Sequence, residues 1–200
     1  MQIVSPLAIF LTTITLSIVI SPANLLSAVK ANMSIGRFQN TSSFVNYQDA
    51  VLGIKFQYPE NWKKIVHYSA NNSRIEFISP LQSQLEIFPP SFLVGVSKTT
   101  NKLTLDGLSK TILDKAKESM MDFNLLHSNS SEVGSIAAQQ LIYTFKSSDP
   151  SLQLQFQTMD ILMIKSNWLY TFSYTESRAQ YANYLSTIEQ IVHSFETITK

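Results

Sequence analysis

Trp168, Tyr170, Phe172 and Tyr174 alternate with Leu169, Thr171 and Ser173, a period of two that only an extended strand turns into two faces. Upstream, Leu152, Leu154 and Phe156 alternate with Gln153, Gln155 and Gln157, and Ile161 and Met163 continue the same run. The Lys165-Ser166-Asn167 break between them is short enough for a hairpin. With residues 137–145 as a further strand, these three are expected to be antiparallel neighbours at the centre of a sheet. Aromatics at strand period beside an apolar strand read as core rather than as a sugar-stacking platform, which would leave its rings uncovered.

Strand signals also fill the first half of the chain, at 45–49, 54–58, 62–68, 74–79, 85–88 and 92–98. Ser79-Pro80 and Pro89-Pro90 interrupt them, and Asn71-Asn72 marks a tight turn. Thr104 then caps a helix with Asp106 in its first turn, where the helix dipole favours an anion. Leu105, Leu108, Ile112, Ala116 and Met120 make its apolar face, and Gly107 is expected to lie close against another element. A last helix is expected from Glu176 or Ser177, with Tyr181, Leu185, Ile188, Val192 and Phe195 as its buried face. Strands, helix, strands, helix with hairpin-like links imply an α+β fold with a central antiparallel sheet and helices packed on it.

Residues 6–20 form a nearly unbroken apolar and threonine run, and no ionisable side chain precedes Lys30. The run suits the hydrophobic region of a signal peptide and is short for a spanning helix. Cleavage is expected after small residues near Ala23 or Ala31, with an uncleaved N-terminal anchor as the alternative. The chain thus divides into 1–31, a signal peptide or anchor; 32–44, a polar tether; and 45–200, the folded domain. An exported or cell-surface location follows. Asn32, Asn40, Asn71 and Asn129 each begin an Asn-x-Ser/Thr sequon in expected linkers or loops, which makes them candidate glycosylation sites.

The chain has no cysteine, which excludes disulfides, thiol nucleophiles and thiolate metal sites. Lys and Arg total 15 against 14 Asp and Glu, without a charged run, so nucleic acid has no electrostatic footprint here. Ser, Thr, Asn and Gln supply 67 of the 200 residues, giving a surface of neutral polar groups. His67, His127 and His193 stand on different elements, and no serine lies in a Gly-x-Ser-x-Gly elbow. The five glycines are too scattered to cradle a phosphate. Six Asp, never two within three residues, do not make the oxygen-rich loop that calcium needs. Glu76 and Glu86 read as sheet surface. No catalytic residue, cofactor site or metal site is assigned, and no enzymatic activity is expected.

One stretch carries a family resemblance. In Gly53-Ile54-Lys55-Phe56-Gln57-Tyr58-Pro59-Glu60-Asn61-Trp62, a strand with Ile54, Phe56 and Tyr58 on one face ends at Pro59, and Trp62 folds back onto the core. Phe77-Ile78-Ser79-Pro80, Thr104-Leu105-Asp106 and Ser194-Phe195 follow at matching places. Gly53, Tyr58, Pro59, Trp62, Phe77, Pro80 and Phe195 are its signature. Over about residues 45–197 the chain resembles the PsbP-like family, in particular exported members from non-photosynthetic prokaryotes, archaea above all. The resemblance implies an α–β–α sandwich. In photosynthetic organisms it implies lumenal proteins that dock on photosystem II, by way of a basic N-terminal extension. Residues 32–52 here hold a single basic residue, Arg37, so that docking surface is missing. Distant relatives of the fold include a nuclear factor that binds the Ran GTPase. The expectation is a docking module for an unidentified protein or envelope component. The alternative is an assembly, ligand-binding or calcium-binding accessory of a membrane redox complex.

Overall fold

The computed structural model describes residues 43–80, 89–99, 103–149 and 154–198. In chain order the elements are β1 (Phe44–Asp49), β2 (Ile54–Pro59), β3 (Lys63–His67), β4 (Asn72–Ile78), β5 (Ser91–Lys98), α1 (Leu105–Ser119), β6 (Met121–Val133), β7 (Ile136–Lys146), β8 (Gln155–Lys165), β9 (Trp168–Ser177), α2 (Tyr181–His193) and β10 (Glu196–Thr197). Seven strands form one antiparallel sheet in the order β3-β4-β5-β9-β8-β7-β6, and β1-β2-β10 form a separate small sheet. The fold is α+β, with antiparallel sheets and two helices packed on them. The expected strand at 85–88 lies outside the described residues, as do the apolar run at 6–20 and the sequons at Asn32 and Asn40.

The alternation in β9 sorts its side chains onto two separately filled faces. Tyr170, Phe172 and Tyr174 join Met159, Ile161 and Met163 of β8, the small sheet and α2 in the larger core. Phe195, just past α2, stands 5.0 Å edge-on to Phe172 and 5.6 Å from Tyr170, and Tyr181 lies 4.9 Å from Tyr174. With Phe172 only 1% exposed, the aromatic ladder is core, not a platform. The other face of the sheet carries Leu141, Tyr143, Leu162 and Leu169, covered by Leu108 and Ile112 of α1. At α1's start the Thr104 hydroxyl accepts from the Gly107 N–H at 3.1 Å.

Several expectations are corrected. β7, β8 and β9 are contiguous, but the centre of the large sheet is β9, flanked by β5 and β8. α2 starts at Tyr181 because β9 keeps pairing with β8 as far as Ser177↔Phe156, which holds Glu176 and Ser177 in the strand. Its buried face includes Tyr184 and Ile191, while Phe195 lies beyond the helix. Gly107 faces its own cap: a Cβ there would meet Thr104 Oγ1 at 3.1 Å, and no other element approaches it as closely. Asn129 is not in a loop. It lies within β6, a strand whose polar, irregular sequence gives no alternating signal.

Candidate interaction surface

β1 ends at Asp49, whose carboxylate organises the turn into β2. Oδ1 accepts the backbone N–H groups of Val51 and Leu52, each at 2.9 Å. Oδ2 accepts the hydroxyls of Tyr47 at 3.0 Å and Tyr68 at 2.6 Å. Gly53 closes the turn with φ 70° and donates its N–H to the Asp49 carbonyl at 2.9 Å, a left-handed conformation that suits glycine. Asp49 is 7% exposed. That burial works to raise its proton affinity, but the bonds from Tyr68, Leu52, Tyr47 and Val51 together hold the carboxyl below its ordinary value. Burial and the neighbouring carboxylate push the Tyr47 hydroxyl up, and the Tyr68 hydroxyl is raised chiefly by its bond to Asp49.

This clasp fixes two apolar side chains in water. Val51 is 70% exposed and Tyr68 62%, the two largest exposures among the large hydrophobics described. The Lys64 ammonium lies 4.7 Å from the Tyr47 ring centroid and 5.8 Å from that of Tyr58, close enough for cation–π attraction. The exposed Val51 and Tyr68 side chains make this turn the candidate interaction surface.

A second carboxylate has the opposite setting. Asp160, in the middle of β8, is 2% exposed and accepts Tyr143 Oη at 2.8 Å and Ser173 Oγ at 2.6 Å. Thr158 and Thr175 share a hydrogen bond of 2.8 Å in the adjacent row of the same face. Burial pushes the Asp160 carboxyl up to about 6, against the pull of Ser173 and Tyr143. Sealed under α1's side of the sheet, this group can hold a proton but offers no approach to a substrate. Among the described residues no group of three or more His, Asp or Glu could hold a metal ion.

Of the signature residues, Gly53, Tyr58, Trp62, Phe77 and Phe195 meet around the small sheet and α2. Tyr58 packs at 4.7 Å from Phe77, Phe56 bridges Phe77 at 5.5 Å to Phe195 at 6.3 Å, and Trp62 stands edge-on to Tyr184 at 6.3 Å. Pro59 ends β2, whereas Pro80 is exposed past the end of β4. Asn71 is exposed in the β3–β4 turn and Asn129 is exposed on β6. His67, His127 and His193 are all exposed and lie on β3, β6 and α2. Asp49, Val51, Tyr68 and Asp160 were not singled out by the sequence. The available signals were an Asp two residues before an isolated Val-Leu-Gly, and a lone Asp inside the apolar run of β8.

The architecture recurs in known structures. Cyanobacterial PsbP (CyanoP) from Synechocystis sp. PCC 6803 matches with a TM-score of 0.59 at 14% identity, over 84% of this chain and 98% of that one. The Ran-binding protein Mog1p of Saccharomyces cerevisiae matches with a TM-score of 0.56 at 10% identity, over 79% and 97%. LpqN of Mycobacterium tuberculosis, involved in cell envelope biogenesis, also gives 0.56 at 10% identity, over 80% and 88%. At such identities the likeness is one of fold. No curated protein sequence matches the chain. The family model described as PsbP-like protein matches residues 7–197. The chain belongs to the PsbP-like protein family.

Proposed function

We propose that the chain is an exported, non-enzymatic accessory module that docks on another protein or envelope component through the corner at Val51 and Tyr68. The observation that carries this reading is the pair of apolar side chains held in water by four hydrogen bonds to Asp49. Exposed apolar side chains held in a fixed turn suit a contact with another molecule. The family match begins at residue 7, so it takes in most of the apolar run that suits an export segment. By analogy of fold alone, Mog1p as a Ran-binding protein and LpqN in envelope biogenesis give precedents for docking and for an envelope role. Among the described residues no helix is long and apolar enough to cross a membrane. Retention would therefore fall to the segment before residue 43.

A photo-cross-linking residue placed at Val51 in the native host tests the docking surface, with the exposed Glu118 of α1 as the control position. One specific adduct from Val51, lost in Tyr68→Ser, is expected. Equal background from both positions sinks the proposal. Mass spectrometry of the native chain should show a start between residues 24 and 32, or an intact membrane-bound chain. A soluble cytoplasmic chain beginning at Met1 would remove the export half of the reading.

A further inference from the structure

We propose that Asn129 carries an N-linked oligosaccharide that guards the open edge of the large sheet. This rests on the export reading above, since only an exported chain meets the transferase. Among the described residues β6 is the last strand of the sheet and pairs on one side alone, so its other side offers backbone donors and acceptors to an extended chain. The two halves of this strand differ. Between Met121 and His127 the register with β7 slips twice, Asp122 has φ 49°, and its carboxylate pairs with Lys146 at 2.6 Å. Such bulges spoil an edge as a template.

From Ser128 to Val133 the pairing is regular, Ser128↔Leu141 through Val133↔Ile136. That half contains no Pro, Lys or Arg and a single acid, Glu132. It lacks the devices that usually protect an edge, and it holds Asn129-Ser130-Ser131. In an extended chain residues two apart share a face, so the Asn129 amide and the Ser131 hydroxyl project together. Asn129 is exposed and Ser131 half-buried, opposite Gln140 and Ala138.

The sequon at Asn71 is closed by comparison. Its Ser73 hydroxyl is buried and tied at 3.1 Å to both the N–H and the carbonyl of Ser69. The Asn71 carbonyl accepts the Lys98 N–H at 3.1 Å. Sequon recognition requires the hydroxyl as well as the amide. In the transfer, the Asn129 amide nitrogen attacks the anomeric carbon of a lipid-phosphate-linked oligosaccharide. The new C–N bond replaces the C–O bond to phosphate, the lipid phosphate leaves, and one amide proton passes to the transferase. The bulky hydrated product then stands where other edges place Lys or Pro.

Tryptic digestion of the native protein separates the two sites into peptides 118–146 and 65–74. Mass spectrometry should show a saccharide increment on 118–146, lost in Ser131→Ala, with 65–74 bare. An unmodified 118–146 in processed or membrane-bound protein overturns the glycan and leaves export standing. The same result in a cytoplasmic chain starting at Met1 overturns both. For the guarding role, Asn129→Gln should self-associate in sedimentation where the glycosylated chain stays monomeric. Adding Ser130→Lys to Asn129→Gln should restore the monomer. Identical sedimentation of the glycosylated and Asn129→Gln chains overturns the guard.

Discussion

Asp49 and Asp160 are both withdrawn from water and clasped by a tyrosine hydroxyl, yet their proton affinities move in opposite directions. Asp49 sits at the rim of the small sheet and receives four donors, two of them backbone N–H groups. Asp160 sits near the centre of the large sheet and receives two hydroxyls. Desolvation disfavours the anion in both places, and donors to the anion favour it. Four donors at a partly wet rim outweigh burial. Two in a dry interior do not, and burial pushes the Asp160 carboxyl up to about 6. The rim carboxylate is thus a fixed anion that builds a turn, while the central one takes up a proton in mild acid.

Removing the clasp should do the most damage at the rim. Asp49→Ala leaves two backbone N–H groups and the Tyr47 hydroxyl without their acceptor, and each orphaned group costs about 1–3 kcal/mol. A loss of about 4 kcal/mol in denaturant unfolding is expected at neutral pH. A loss below about 1 kcal/mol would mean that donor count is not what separates the two sites.

At the centre the sign reverses. Asp160 binds its proton more tightly folded than unfolded, so its stabilising contribution is complete below 3.8 and is lost as pH rises through about 6. Asp160→Asn should remove that loss, leaving the variant more stable than the wild type at pH 7 by up to about 3 kcal/mol, since one pKa unit corresponds to about 1.4. The Asn side chain keeps an oxygen for Tyr143, and its N–H₂ can donate to the Ser173 hydroxyl. Urea midpoints measured from pH 3 to 8 decide it. If the gap between Asp160→Asn and the wild type fails to widen in the variant's favour as pH rises across this window, the comparison breaks.

Strands within the large sheet differed in how far the sequence foretold them. β9 and its face toward α2 were readable because both flanking strands and the helix bury them, so every second residue is forced to be apolar. β6 was not, because a one-sided edge strand exposes residues on both faces and is free to read Leu125-Leu126-His127-Ser128. The boundary between β9 and α2 was misplaced for another reason. Ser177 looks like a cap, but ladder pairing to Phe156 holds it extended, and Gln180 begins the helix without a side-chain cap. Polar clasps escaped reading altogether. Tyr47, Asp49 and Tyr68 come together through the turn and the approach of the two sheets, and neither is encoded in spacing.

A milder substitution separates charge from geometry at the rim. Asp49 holds its proton less tightly folded than unfolded, so its contribution is present above the ordinary carboxylate value and is lost as pH falls below it. Asp49→Asn keeps one oxygen for the turn N–H groups but loses the charge. A cost of about 1–2 kcal/mol at pH 7, shrinking toward acid, is expected. A cost that stays constant with pH would show that the charge itself contributes nothing.

Tyr68→Phe should have the smallest effect, and it tests whether the corner is built for stability or for contact. The Tyr68 hydroxyl supplies the shortest of the four bonds to Asp49, at 2.6 Å, but the side chain is 62% exposed. Water can replace an exposed donor, so the stability lost should stay below about 1 kcal/mol. Asp49, with one donor fewer, should titrate higher by NMR, partway toward Asp160. The freed ring is no longer fixed, so any partner that uses it should bind more weakly through loss of preorganisation, even though the apolar area is unchanged. A stability loss of about 2 kcal/mol or more, with the Val51 cross-link intact, would reassign the Tyr68–Asp49 bond to the fold and leave Val51 as the contact residue.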